Sequence, residues 1–215
     1  MDQSLRRRTA VVITGASTGI GAASAVELAR RGFCVFAGVR KDDDGGRLKD
    51  QSPQIVPLLL DVTDTRQIAA AAEHVGRAVG DAGLAGLVNN AGIVVAGPLE
   101  ILPLDRLRLQ LEVNVVGQIA VTQAFLPLLR KARGRIVNIG SFNGRIASPY
   151  LAPYAASKHA LEAITNALRS ELRAWRIRVS VIEPWKFRME LMQQSGSEDE
   201  LGSVVLAPNG QQACV

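Results

Sequence analysis

Six short apolar runs are spread along the chain, and the stretches between them are long enough to hold helices. The runs are AVVIT (residues 10–14), CVFAGV (34–39), IVPLLL (55–60), LAGLVNN (84–90), RIVNIGS (135–141) and IRVSVIE (177–183). Most are apolar at successive positions, which a strand with one wet face would not be. Strands buried on both faces and separated by helices form a parallel sheet covered on two sides. The pattern therefore predicts an α/β, Rossmann-like doubly wound sheet of six strands, with a seventh missing or vestigial. Pro57 cannot donate to a central ladder, which puts the third strand at an outer position.

Between the runs, AASAVELARRG (22–32) reads as a helix ended by Gly32. DDDGGRLKDQS (42–52) holds at most a short helix, and residues 63–83 are alanine-rich and amphipathic. A long helix is expected over 103–133, kinked at Pro127, and a strong one over 155–174. No linker or internal repeat divides the chain. The domain spans 9–184, preceded by a basic tail (1–8) with Arg6-Arg7-Arg8 and followed by an atypical tail (185–215).

The net charge of +5 comes from dispersed arginines. Dispersed charge reads as solvated surface, and no nucleic-acid signature accompanies it. Cys34 and Cys214 are too few for a disulfide framework, which fits a reducing, cytoplasmic setting. The apolar runs predict no membrane span, and no cluster predicts a metal site.

TGASTGIG (14–21) joins the first strand to the first helix, with glycines at Gly15, Gly19 and Gly21. Glycines at such a turn let backbone approach a pyrophosphate, which meets the amides of a helix N-terminus. Thr14, Ser17 and Thr18 add hydroxyls. A glycine-rich turn alone can also be only a turn.

Further motifs follow in order: LDVT (60–63), NNAG (89–92), Asn114 in EVNVVG, Ser141 in IVNIGS, and YAASK (154–158). Singly each has a bland reading. Ser141 can be a turn residue, Asn89-Asn90 turn chemistry, and Tyr154 with Lys158 an ordinary i,i+4 pair. Asn114 inside a helix needs a reason, because helix interiors disfavour Asn. Together, over residues 9–184, they resemble the short-chain dehydrogenase/reductase family, nearest its retinol and hydroxysteroid dehydrogenase branch.

The resemblance implies roles. Tyr154 exchanges a proton with the oxygen of an alcohol or ketone. Ser141 hydrogen-bonds that oxygen, Lys158 lowers the tyrosine pKa and holds the nicotinamide ribose, and Asn114 holds a water linking Lys158 to solvent. Gly15, Ser17, Thr18, Gly19, Ile20, Gly21, Asp61, Val62, Asn89, Ala91, Gly92 and Pro184 are implied in binding the dinucleotide. A phenol near ~10 needs a cation to become a useful base, and Lys158 one turn on along the same helix face supplies one. Tyr150 lies eight residues from Lys158 and ahead of Pro153, outside the helix and near the substrate mouth. Asp61 could instead cap a helix, though Thr63 or Asp64 suits that better.

NADP(H) is expected over NAD(H). Val39 stands where an acid would take the ribose 2′-OH, and Arg40 and Lys41 follow, with Asp42–44 opposing. The resemblance ends at Pro184. Trp185 stands where the family has Gly, and no Thr follows Thr165. Residues 185–215 leave little room for lid helices, so the tail is expected to be loose, or a short helix before a token strand at 204–206. The chain thus reads as an NADP(H)-dependent oxidoreductase of small hydrophobic alcohols or ketones, possible as a homodimer through the helices carrying Asn114 and Tyr154. The alternative is a catalytically impaired dinucleotide-binding protein.

Overall fold

The computed structural model describes residues 9–184; the expectations for residues 1–8 and 185–215 lie outside them. The strands are β1 (Ala10–Ile13), β2 (Cys34–Val39), β3 (Ile55–Leu59), β4 (Gly86–Asn89), β5 (Arg135–Ile139) and β6 (Arg178–Ile182). They form one parallel sheet in the order β3-β2-β1-β4-β5-β6. Pro57 sits on the outer strand β3, opposite Ala37 of β2, as its missing N–H requires.

Alternation along β1 sorts the core into two layers. Ala10 and Val12 point to one face, where α3 (Thr65–Val79) and α5 (Gly117–Ala132) pack through Val75, Val121, Phe125 and Leu129. Val11 and Ile13 point to the other, against Ala25 and Ala29 of α1 (Gly19–Arg30) and Leu48 of α2 (Asp42–Lys49). All four β1 residues and all six β2 residues are buried, which is why neither run alternates. Asp64 caps α3 by accepting from the N–H groups of Arg66 and Gln67.

Three helix expectations need correction. α1 begins at Gly19, three residues before the alanine-rich run, so Gly21 lies in its first turn. α6 spans Ala152–Glu171 and ends in a 3-10 turn at Leu172–Trp175. The long helix is interrupted, but not at Pro127, which lies inside continuous α5. The interruption is a π segment, Glu112–Val116, between α4 (Leu104–Leu111) and α5. Pro127 removes only one donor, whereas the π segment changes the helix register around buried Asn114, a device found often at functional sites. The run Leu104–Ala132 is also long and apolar enough to cross a bilayer, contrary to the sequence expectation. Its buried Gln110, Asn114 and Gln118 and its packing against the sheet give it the character of a core helix.

Candidate functional site

A cleft opens where β1 to β5 end, lined by Gly15, Val39, Asp61, Ala91 and Gly140 among others. Ligands of open parallel sheets bind at this edge, where the order of connection reverses on either side of β1. Ser17, Thr18, Gly19, Ile20, Arg40, Val62, Gly92, Tyr154 and Lys158 line it too. Gly21, Asn89, Asn114, Ser141 and Pro184 do not, and each does something else.

The turn after β1 is tied to the segment that follows β4 by the side chains of Thr14 and Asn90. Thr14 Oγ1 accepts from the N–H groups of Asn90 and Ala91, each at 3.0 Å. Asn90 Nδ2 donates to the carbonyls of Thr14 (2.9 Å) and Gly15 (2.8 Å). Gly15 has φ +61°, and a Cβ there would lie 2.7 Å from Ala91 Cα. A Cβ on Gly21 would lie 2.3 Å from the Gly15 carbonyl oxygen and 2.5 Å from Asn90 Nδ2. Gly21 thus serves the turn from beneath. Gly21→Ala is expected to cost about 2 kcal/mol by overpacking, read from the denaturant midpoint, and to weaken dinucleotide binding. A midpoint equal to that of the wild type would contradict this packing.

The floor of the cleft, residues 90–95, hangs from a ladder of polar side chains four residues apart: Gln110, Asn114, Gln118 and Thr122. Gln110 donates to the Ile93 carbonyl and accepts from Val95 N–H. Asn114 Oδ1 accepts from Ile93 N–H at 2.9 Å, and its Nδ2 donates to the Ile93 carbonyl and to Ser157 Oγ. Gln118 donates to the Ala91 carbonyl, and Thr122 accepts from Asn89. Asn114 thus ties α6 to the floor with both ends of its amide. Asn89 is 1% exposed and donates to Asn138 as well, so its side chain braces β4 to β5 instead of facing the cleft. Sequence reasoning missed Gln110, Gln118 and Asn90. The spacing 110, 114, 118, 122 on a mostly apolar helix was the available signal.

Ser141 lies two residues past the end of β5 and is buried; its hydroxyl accepts from Asn143 N–H, capping a 3-10 turn, and hydrogen-bonds Tyr154. The turn role and the site role coexist. Pro184 accepts from Phe142 N–H at 3.3 Å, which fastens the exit of β6 to the same turn. Tyr154 lies in the first turn of α6, with Lys158 Nζ 5.6 Å from its ring centroid. Tyr150 lies outside the helix with φ +65° and is exposed.

Burial pushes the Tyr154 phenol above its usual value, against the opposing hydrogen bond with Ser141. The expected lowering by Lys158 is not what governs the group. Burial also lowers Lys158 to about 8, and its Nζ donates one of its N–H groups to the Ile139 carbonyl at 2.7 Å. Asp61 Oδ1 is engaged by the N–H and hydroxyl of Thr63, leaving Oδ2 for the cleft. Of the three acids beyond Arg40, Asp44 pairs with Arg47, and none of the three lines the cleft.

The residues present fit a dinucleotide. A strand-to-helix turn without side chains at Gly15 and Gly19, two hydroxyls beside it, and an exposed Arg40 at the end of β2 are suited to phosphates. Among the described residues no group of His, Cys, Asp or Glu is arranged for a metal ion.

The family model for short chain dehydrogenases matches residues 9–200. The chain is 46% identical over 180 residues to 17-beta-hydroxysteroid dehydrogenase type 6 of Bos taurus, covering 83% of this chain and 56% of that protein. It is 40% identical to retinol dehydrogenase 5 of Mus musculus, covering 89% of this chain and 60% of the relative. The chain thus spans little more than half the length of these relatives. A gluconate 5-dehydrogenase from Burkholderia cenocepacia J2315, solved with NADP and tartrate, superposes with a TM-score of 0.79 at 29% identity, over 89% of this chain and 78% of that one. With its sheet order, its cleft at the strand ends and its Tyr154–Lys158 pair beside Ser141, the chain belongs to the short chain dehydrogenase family.

Proposed function

We propose that the protein is an oxidoreductase that moves hydride between NADP(H) and a small hydrophobic secondary alcohol or ketone. The observation that carries this is Tyr154, partly buried at the cleft, touching the Ser141 hydroxyl on one side and lying one helical turn from Lys158 on the other. Bound dinucleotide supplies the hydride chemistry. Tyr154 holds the proton that the substrate oxygen gains or loses at its Oη. Ser141 Oγ, fixed by Asn143 N–H, orients the same oxygen and steadies charge that develops there. Lys158 provides a cation near the phenol and a donor for ribose hydroxyls, and Asn114 keeps the floor in place.

Ile93, Val94, Leu109 and Val113 make the inner wall apolar, which favours a hydrophobic substrate. The named activities of the relatives on hydroxysteroids and retinol agree with that chemistry. NADP(H) is favoured because Arg40 lines the cleft while Asp44 is held by Arg47. The second reading, dinucleotide binding without turnover, is favoured by one sequence observation, Trp185 directly after Pro184.

Two measurements separate these readings. NADPH is titrated against the protein, and NADPH oxidation is followed with a panel of apolar ketones and aldehydes. Binding with turnover supports the enzyme, and binding without turnover on any substrate supports the second reading. Arg40→Ala is expected to raise the dissociation constant for NADPH about tenfold and that for NADH little. Equal changes for both would reverse the cofactor assignment.

A further inference from the structure

One turn beyond Lys158, α6 buries another ionisable residue that the chemistry above does not use. Glu162 is only 8% exposed. Its Oε1 receives no N–H or O–H among the described residues. Its Oε2 lies 3.5 Å from Arg145 Nη2, which closes more tightly on Glu183 Oε1 at 2.7 Å. Two carboxyls, one buried and one at the rim, therefore share a single guanidinium. Burial, the Glu183 charge and a hydrogen bond between the two carboxyls push Glu162 upward, against Arg145 and Arg169.

The position of this carboxyl is specific. A Cβ on Gly140 would lie 3.2 Å from Glu162 Oε1, and one on Gly144 would lie 3.2 Å from its Cγ. The side chain occupies the space those two glycines leave at the end of β5. Lys158 Nζ donates to the carbonyl of Ile139, the residue before Gly140. The ammonium and the carboxyl thus reach the same strand end from successive turns of one helix face, with Tyr154 a turn before both. A buried carboxylate lacking a donor is costly, and a buried ammonium equally so. Each is less costly in the presence of the other. Burial disfavours the charged form of Lys158, and Glu162, where ionised, favours it.

We propose that Glu162, held by Arg145 and Glu183, is a positioning residue that keeps Lys158 charged and seated on the end of β5. The placement of the two groups rests on geometry, and the charge of the lysine on their interaction. Its consequence for hydride transfer rests on the function proposed above. Glu183 directly precedes Pro184, so the Arg145–Glu183 pair also links the exit of β6 to this buried charge. The groups facing Glu162 are Arg145 from the turn after β5, Glu183 from the end of β6, and Lys158 and Arg169 from α6.

The test is a direct titration of Lys158. The chain has five lysines, few enough for their side-chain carbon signals to be separated by NMR in labelled protein, with Lys158→Arg identifying the relevant one. Glu162→Gln keeps the shape and removes the charge. Its expected effect is a fall of about one unit in the Lys158 midpoint, with the Lys131 midpoint unmoved. Glu162→Asp restores the charge and should recover at least half of that fall. An unchanged Lys158 midpoint in Glu162→Gln overturns the proposal. So does an equal fall in Glu162→Asp, since that would make packing the cause. Arg145→Gln, at an exposed position, removes a cation that lowers Glu162 and should raise the midpoint of that carboxyl; no movement counts against the part given to Arg145. Where turnover is found, the limb of the pH profile that follows Lys158 should move with the NMR midpoint. Absence of turnover would count against the function proposed above and leave the titration decisive.

Discussion

Tyr154→Phe is expected to lower turnover roughly 10³-fold, the scale of a lost general acid, while NADPH binding changes little. The substitution removes one oxygen from a ring whose packing on α6 is otherwise kept. The ring still lines the cleft, so the apolar wall and the lysine behind it remain. What disappears is the proton at Oη and the contact with Ser141. The check is steady-state turnover beside a nucleotide titration on the same protein; retained turnover would show that the proton comes from elsewhere. Direction and pH are linked here. Burial raises the phenol, so it carries its proton at neutral pH. Reduction of a ketone uses that proton and should be fast at neutral pH, falling as the phenol titrates at alkaline pH. Oxidation of an alcohol needs the phenolate and should rise over the same interval.

Lys158→Met is expected to separate stability from activity. The ammonium titrates from an ordinary 10.5 down to about 8, with burial as the leading cause. The folded protein therefore binds fewer protons than the unfolded chain between those values. Stability conferred at this position rises with pH through that window and is lowest below it. The displacement from 10.5 to about 8 corresponds to about 3 kcal/mol of disfavour for the buried cation at neutral pH. Methionine fills similar volume without that charge, although it leaves the Ile139 carbonyl without its donor, which offsets part of the gain. The stability of Lys158→Met relative to the wild type should accordingly be greatest near pH 7 and shrink by about 3 kcal/mol toward pH 10.5. Denaturant unfolding at a series of pH values reads this directly. A difference independent of pH would mean that Lys158 titrates normally. Turnover should fall roughly 10²-fold or more at all pH values, since no cation remains beside the phenol.

The sheet was legible because burial writes itself into consecutive residues. β1 and β2 are apolar at every position since both their faces are covered. Pro57 marked the sheet edge for an equally local reason, a missing donor. The glycine turn, the Tyr154–Lys158 pair and Ser141 were legible through spacing. The interruption at Glu112–Val116 was not. Local propensity points to Pro127 as the weak place, yet the helix departs from α geometry where Asn114 must reach both Ile93 and Ser157, twenty-one and forty-three residues away. Which of the structural and adenosine-side roles implied for Asn89 its side chain serves was not legible for a similar reason. Its motif neighbours Ala91 and Gly92 face the cleft, and strand alternation turns its own side chain inward to Asn138 and Thr122.

The sequence by itself determined the class of fold, the outer place of β3 and many of the residues that line the cleft. These follow from period, burial and short-range backbone geometry, which act between residues close in the chain. Only the tertiary structure decided the charges. Whether Tyr154 is a stronger or weaker acid depends on how much water the fold removes from it, and that loss outweighs the hydrogen bond with Ser141. Whether Lys158 carries its proton depends first on its burial and then on Glu162, whose own carboxyl depends on burial, Glu183 and Arg145, brought together from the turn after β5 and the end of β6. Electrostatic energies are set by distance and solvation in space, and neither quantity is written in the spacing of residues along a chain.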